Sequence, residues 1–134
     1  MAEYERARPA FDAAGIGLVA ISTDSVSRSA AMREKLQLGF PVLSDGERAV
    51  ARAWGVLDAR RFGGIAVPAT FLVDGAMQVR FASVDARTQR VSPAALLAWQ
   101  RGETTADRGA AGTRRRMRQR PGDYWRAWQL WRRK

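Results

Sequence analysis

Five arginines within seven residues, Arg114, Arg115, Arg116, Arg118 and Arg120, followed by Trp125, Trp128 and Trp131 at three-residue spacing, form the densest chemical signal in the sequence. Arginines neutralise phosphates and indoles stack on bases, so the pattern suits a nucleic acid. It suits equally a basic aromatic helix lying on an anionic membrane surface, or a helix that packs its tryptophans on the domain or on a second subunit. No motif of a recognised nucleic-acid fold accompanies it. Three carboxylates, Asp24, Asp45 and Asp74, each end an apolar run. They could be drawn as a metal or acid/base cluster, but their positions fit turns and caps better. Arg60-Arg61 beside Gly63-Gly64 is a weak sign of an anion-binding loop, because no phosphate-loop or dinucleotide fingerprint goes with it.

The 134 residues include no cysteine and no histidine. Disulfides, thiolate nucleophiles, imidazole bases and the usual zinc ligand sets are therefore outside the chemistry of this polypeptide. No metal and no cofactor is expected. The formal net charge is +10, and residues 102–134 carry +7 of it. The body is ordinary in charge and the tail is not. No apolar run reaches the length of a membrane span, and Glu3, Glu5, Arg6 and Arg8 occupy the place of a secretory leader's apolar block. A soluble, cytoplasmic protein is the expectation.

Those side chains must be held by an α/β framework. Tyr4, Ala7, Ala10, Phe11 and Ala14 recur at helical spacing over residues 2–14, with Gly15 as stop and Pro9 as an expected bend. Residues 17–22 (GLVAIS) read as a strand buried on both faces. A helix follows over residues 25–36 with Asp24 or Ser25 as N-cap, then a short strand over 40–45 and a helix over 47–54 closed by Gly55. Residues 60–65 read as a loop. Residues 69–74 and 77–84 form a hairpin about Gly75-Ala76, and Ser92-Pro93 opens a last helix to Arg101. The order α β α β α β β α predicts one mixed sheet with helices on both faces.

Three blocks in this order, GIGLVAISTDS, LGFPVLSDGERAVARAWGV and IAVPATFLVDGAMQVRFASV, resemble redoxins of the peroxiredoxin type, the alkyl hydroperoxide reductase and thiol-specific antioxidant family. The resemblance covers residues 2–101 and implies a thioredoxin-like mixed sheet flanked by helices. It also implies that Pro68 is the proline that faces the reactive thiol, in the cis form, so that Val67, Pro68 and Thr70 face the active site, whereas the residues alone fit a trans Pro68 that starts an edge strand. The function implied is antioxidant peroxide reduction or thiol–disulfide exchange.

Two departures bear on that function. In the family the cysteine sits at the N-terminal turn of the helix that here begins the chain, where orphan N–H groups and the helix dipole stabilise a thiolate. The resemblance therefore implies a missing N-terminal strand and cysteine turn, with an exposed sheet edge and uncovered apolar surface as the consequence. Typical peroxiredoxins also place an arginine where this chain has Pro68, which favours thiol–disulfide exchange as the rival activity. The expected organisation is an incomplete redoxin domain over 1–101, a flexible basic linker over 102–120 and a Trp/Arg-rich helix over 121–134. Catalysis by the cysteine-free chain alone is not expected, and a thiol reductant becomes a partner only if an upstream cysteine exists. The alternative is a non-catalytic binding module that uses its tail for an acidic partner. A homodimer, or weak contact with nucleic acid or an anionic surface, fits the tail, and no membrane span does.

Overall fold

The computed structural model describes residues 1–60, 64–85 and 90–103. They form α1 (Ala2–Ala13), β1 (Ala20–Ser22), α2 (Val26–Lys35), β2 (Val42–Ser44), α3 (Ala49–Ala53), β3 (Leu57–Asp58), β4 (Ile65–Ala66), β5 (Ala69–Val73), β6 (Val79–Val84) and α4 (Pro93–Gln100). The chain divides into two compact units. One is built from Met1–Gly46 and the stretch that begins at Val91, the other from Glu47–Arg90. The Arg114–Arg120 cluster, the three tail tryptophans, and most of the expected linker lie outside the described residues.

The four helices among the described residues close in the same way. Ile16 N–H donates to the Phe11 carbonyl at 2.9 Å and Gly15 N–H to that of Asp12 at 3.0 Å, and the same pair of bonds recurs after α2, α3 and α4. The residue that must turn left-handed there is Gly15, Gly55 or Gly102 in three cases and Gln37, with φ 49°, in the fourth. Such endings satisfy carbonyls that the last helical turn leaves unpaired. At the other end, Ser25 Oγ accepts the Arg28 N–H and Ser92 Oγ accepts that of Ala95, with Pro93 in the first turn of α4. Ser25, not Asp24, is thus the cap of α2. Pro9 lies inside α1 without ending it.

In the first unit α1 packs on α4. Phe11 is fully buried, and Leu38, Phe40, Val91, Leu96, Leu97 and Ala98 complete the core. Tyr4 stacks on Phe11 with ring centroids 5.8 Å apart and donates its hydroxyl to the Val91 carbonyl at 2.9 Å. Glu5 joins α1 to the turn ahead of β2: one carboxylate oxygen takes Arg8 Nε at 2.9 Å and the other takes the Gly39 N–H at 2.8 Å. A Cβ on Gly39 would fall 2.8 Å from the Arg8 guanidinium, so a side chain there would push the guanidinium aside from its place between Glu5 and the turn. The Arg8 hydrogen bond, then the Gly39 amide, holds the Glu5 carboxyl below its usual range. A depressed carboxyl pKa contributes stability above the ordinary value of 4.5, and that contribution is lost as pH falls through the lowered value.

The expected α/β layout, mixed in strand direction and accompanied by helices, is present, and its hydrogen-bonded ladders are short. Among the described residues the strands form three separate pairs: β1 with β2 in parallel, β3 with β4 and β5 with β6 antiparallel. The β3–β4 pair falls partly where the sequence predicted only a loop. Each strand pairs with its neighbour in sequence order, and no described strand bridges one pair to the next, so the ladders stay short. Along β1, Ala20 N–H bonds Pro41 and the Ser22 carbonyl receives Asp45 N–H. Val19 and Ile21 therefore turn their main-chain groups to the other edge, by the alternation of a parallel ladder. The two residues are 58% and 48% exposed.

Ser29 on α2 is 2% exposed, and its hydroxyl has no hydrogen-bond partner among the described residues. An unpaired buried hydroxyl carries a desolvation cost of about 1–3 kcal/mol. Ser29→Ala should accordingly leave stability unchanged or raise it by about 1 kcal/mol in denaturant titration; a loss of that size would mean that the hydroxyl is bonded.

Candidate functional site

The three residues singled out at the head of the hairpin lie together in the second unit. Val67 N–H donates to the Val56 carbonyl at 2.7 Å, which fixes the chain just ahead of β5, and the Pro68 carbonyl accepts Asp85 N–H at 2.8 Å. The expected cis form of the Val67–Pro68 bond is corrected: no described peptide bond is cis. A trans bond carries Val67 and Pro68 in one run from β4 into β5, and an X–Pro bond favours trans by about 0.5–1 kcal/mol unless its surroundings override it. Pro68 precedes the strand, where its missing N–H breaks no ladder bond.

Register then places the neighbours. Thr70 lies opposite Ser83 and Ala69 opposite Val84. Since side chains alternate along a strand, Pro68 and Thr70 share a face with Ser83 and Asp85, and Phe71 points to the other. Ser83 Oγ donates to Asp85 Oδ1, and Asp85 is only 6% exposed. On the opposite face the Trp54 ring meets Phe71 edge-on, with centroids 4.5 Å apart and planes at 73°. α3 thus backs the hairpin while two hydroxyls and a carboxylate gather beside Pro68. Ser83 and Asp85 were not singled out by sequence; the signal was available in the alternation of β6, which puts a serine and then an aspartate in phase with Phe81.

A further anchor comes from Arg48, which caps α3 with φ 59° and donates from Nε to the Gly64 carbonyl at 2.6 Å. Of the loop flagged for anions, Arg61 and Gly63 lie outside the described residues, and Arg60 N–H bonds Asp58 Oδ1 at 3.1 Å.

The three aspartates are each engaged locally. Asp74 Oδ1 accepts the N–H groups of Ala76 and Gln78 at 3.0 and 2.9 Å, closing the hairpin turn. Asp24 Oδ2 accepts the Ser22 hydroxyl at 2.6 Å, and its carbonyl accepts that of Ser44 at 2.6 Å. Asp45 is 7% exposed and gives its N–H to Ser22. Among the described residues no group of three or more carboxylates gathers as a metal site. The open groove of about 550 Å³ lies in the first unit between α2 and β2, lined by Val26, Ala30, Leu38 and Val42 with Arg33 and Glu34. It holds none of the residues at the head of the hairpin.

Hydroxyls and a carboxylate can orient a ligand or accept a proton. None of them can form a sulfenic acid or a mixed disulfide, which thiol peroxide chemistry requires.

Comparison with known proteins follows the same outline. A sequence model of the AhpC/TSA family matches residues 1–82. A protein of Mycobacterium tuberculosis named as a peroxiredoxin is 38% identical over 68 residues, 48% of this chain and 43% of that protein. The chain thus spans less than half the length of that relative. Among solved structures, Mycobacterium tuberculosis AhpC superposes with a TM-score of 0.68 at 29% identity, covering 80% of this chain and 63% of its own. The bacterioferritin comigratory protein of Xanthomonas campestris, described for its alkyl peroxide reduction activity, gives a TM-score of 0.63 at 28% identity, covering 78% and 69%. No helix among the described residues is long and apolar enough to cross a membrane.

Proposed function

The chain belongs to the AhpC/TSA family, and from that premise we propose that residues 1–134 serve as the scaffold of a thiol-dependent antioxidant redoxin whose reactive cysteine is supplied from outside them. The observation that carries the reading is the pairing of a family match over residues 1–82 with a cysteine count of zero. On this reading Val67, Pro68 and Thr70, with Ser83 and Asp85 beside them, line the place where a thiol and its substrate meet. The backbone at Pro68 offers no side-chain donor to a peroxide, so thiol–disulfide exchange suits the face as well as peroxide reduction does.

The test is the coding sequence ahead of Met1. A cysteine codon in frame, in the turn that joins a preceding strand to the start of α1, would supply the nucleophile at a helix N-terminus, where the dipole lowers a thiol pKa. A stretch without one would overturn the catalytic part of the reading. The location proposed for such a protein is the cytoplasm.

A second reading has its own observation, the +7 charge of residues 102–134 together with their spaced tryptophans. A non-catalytic module of this kind would bind an acidic partner, and a second copy of the chain is a further candidate for the tryptophan face. Retention on nucleic acid or anionic vesicles that falls as salt rises, and that disappears from a chain ending at Gly102, supports it. Equal retention of the two chains would contradict it.

A further inference from the structure

Arg48 adopts φ 59° and ψ 23°, a left-handed conformation that side-chain-bearing residues rarely take and that glycine takes freely. Its side chain is fitted to a second left-handed residue. Gly64 has φ 101°, and a Cβ placed there would lie 3.0 Å from Arg48 Cδ and 3.2 Å from Nε. The stem of the arginine thus fills the space that Gly64 leaves open, and Nε closes the contact on the Gly64 carbonyl at 2.6 Å.

What Gly64 leads into gives the contact its consequence. It opens β4, which pairs with Leu57 and Asp58; the chain then bonds through Val67 N–H to Val56 and through the Pro68 carbonyl to Asp85 N–H. The same run ends against α3, where Phe71 meets Trp54. The N-cap of α3 therefore holds the first residue of the run from Gly64 to Phe71, and the C-cap of α3 holds the last.

We propose that Arg48 is a positioning residue, which through the Gly64 carbonyl sets the conformation that brings Val67, Pro68 and Thr70 to the head of the hairpin. The inference rests on the reading of that end as the functional face, and its geometry is tested without any activity. Arginine suits the task better than lysine because Nε belongs to a rigid planar fork, so one bond direction is fixed when the stem is packed.

The experiment is amide hydrogen exchange on the full 134-residue chain, comparing the parent with Arg48→Gly and Arg48→Lys. Glycine keeps φ 59° without steric cost and deletes the side-chain bond, so the thermal midpoint should stay within about 2 °C. The amides of Val67 and Asp85 should nonetheless exchange about ten times faster, the loss that one hydrogen bond commonly gives. Arg48→Lys, which keeps a donor on a looser stem, should fall between. Unchanged exchange at these two amides in Arg48→Gly would overturn the proposal. So would acceleration of every protected amide by the same factor, since that reports a global loss of stability. Either result leaves the proposed function untouched, which is decided by the coding sequence ahead of Met1.

Discussion

Phe11→Ala is expected to cost about 3–5 kcal/mol, the range for deleting a fully buried aromatic ring. The ring has no exposed surface and stacks on Tyr4, whose hydroxyl reaches the Val91 carbonyl ahead of α4. Its loss therefore opens a cavity where α1 meets α4 and frees the partner that ties α1 to that segment. An edge or stacked aromatic pair adds about 0.5–1.5 kcal/mol beyond the area buried. For a domain near 100 residues, each kcal/mol moves the midpoint by about 4–8 °C, so a fall of about 15 °C or more should appear in thermal unfolding. Phe11→Leu, which keeps most of the volume, should lose less than half as much. A loss below about 1 kcal/mol for the alanine variant would mean that Phe11 is not at the centre of the α1–α4 packing.

The second large effect is at the back of the hairpin. Trp54→Ala should cost about 2–3 kcal/mol, less than a fully buried indole because the ring is only half-buried. The edge-on contact with Phe71 at 4.5 Å supplies about 0.5–1.5 kcal/mol of it, and burial of the indole the rest. Trp54→Phe should keep a good share of it, since a smaller ring can still present an edge. In amide exchange the alanine variant should loosen β5 around Phe71 before it affects α1, because that packing lies within the second unit. Equal loosening of both units would contradict this placement.

The sequence was legible where local rules decide the outcome. The helix stops at Gly15 and Gly55, the caps at Ser25 and Ser92, and the hairpin about Gly75-Ala76 each rest on one or two residues whose chemistry allows few alternatives. The three ordered blocks were legible as a family for a similar reason, since each joins a strand to its turn. Sheet continuity was not, because it depends on which edges meet, and β1 and β2 are only three residues long. The β3–β4 pair of two residues each was hidden in a glycine-rich stretch for want of any alternation to read. At the candidate site, Pro68 and Thr70 stood out through the family pattern, whereas Ser83, Asp85 and Arg48 came from register and from one long side chain crossing sixteen positions. The trans bond at Pro68 is the form the residues alone favour at the start of a strand, and only the family pattern pointed to cis.

The AhpC/TSA scaffold is present in these 134 residues, and a thiol to act on a peroxide is not. Thiol-dependent consumption of hydrogen peroxide by the purified chain measures this most directly. With no cysteine in the sequence, no residue can take the oxygen of a peroxide as a sulfenic acid or exchange with a disulfide, and the rate should equal that of the buffer blank at every protein concentration. Turnover that rises in proportion to the protein would mean that a group other than a cysteine thiol carries the reaction.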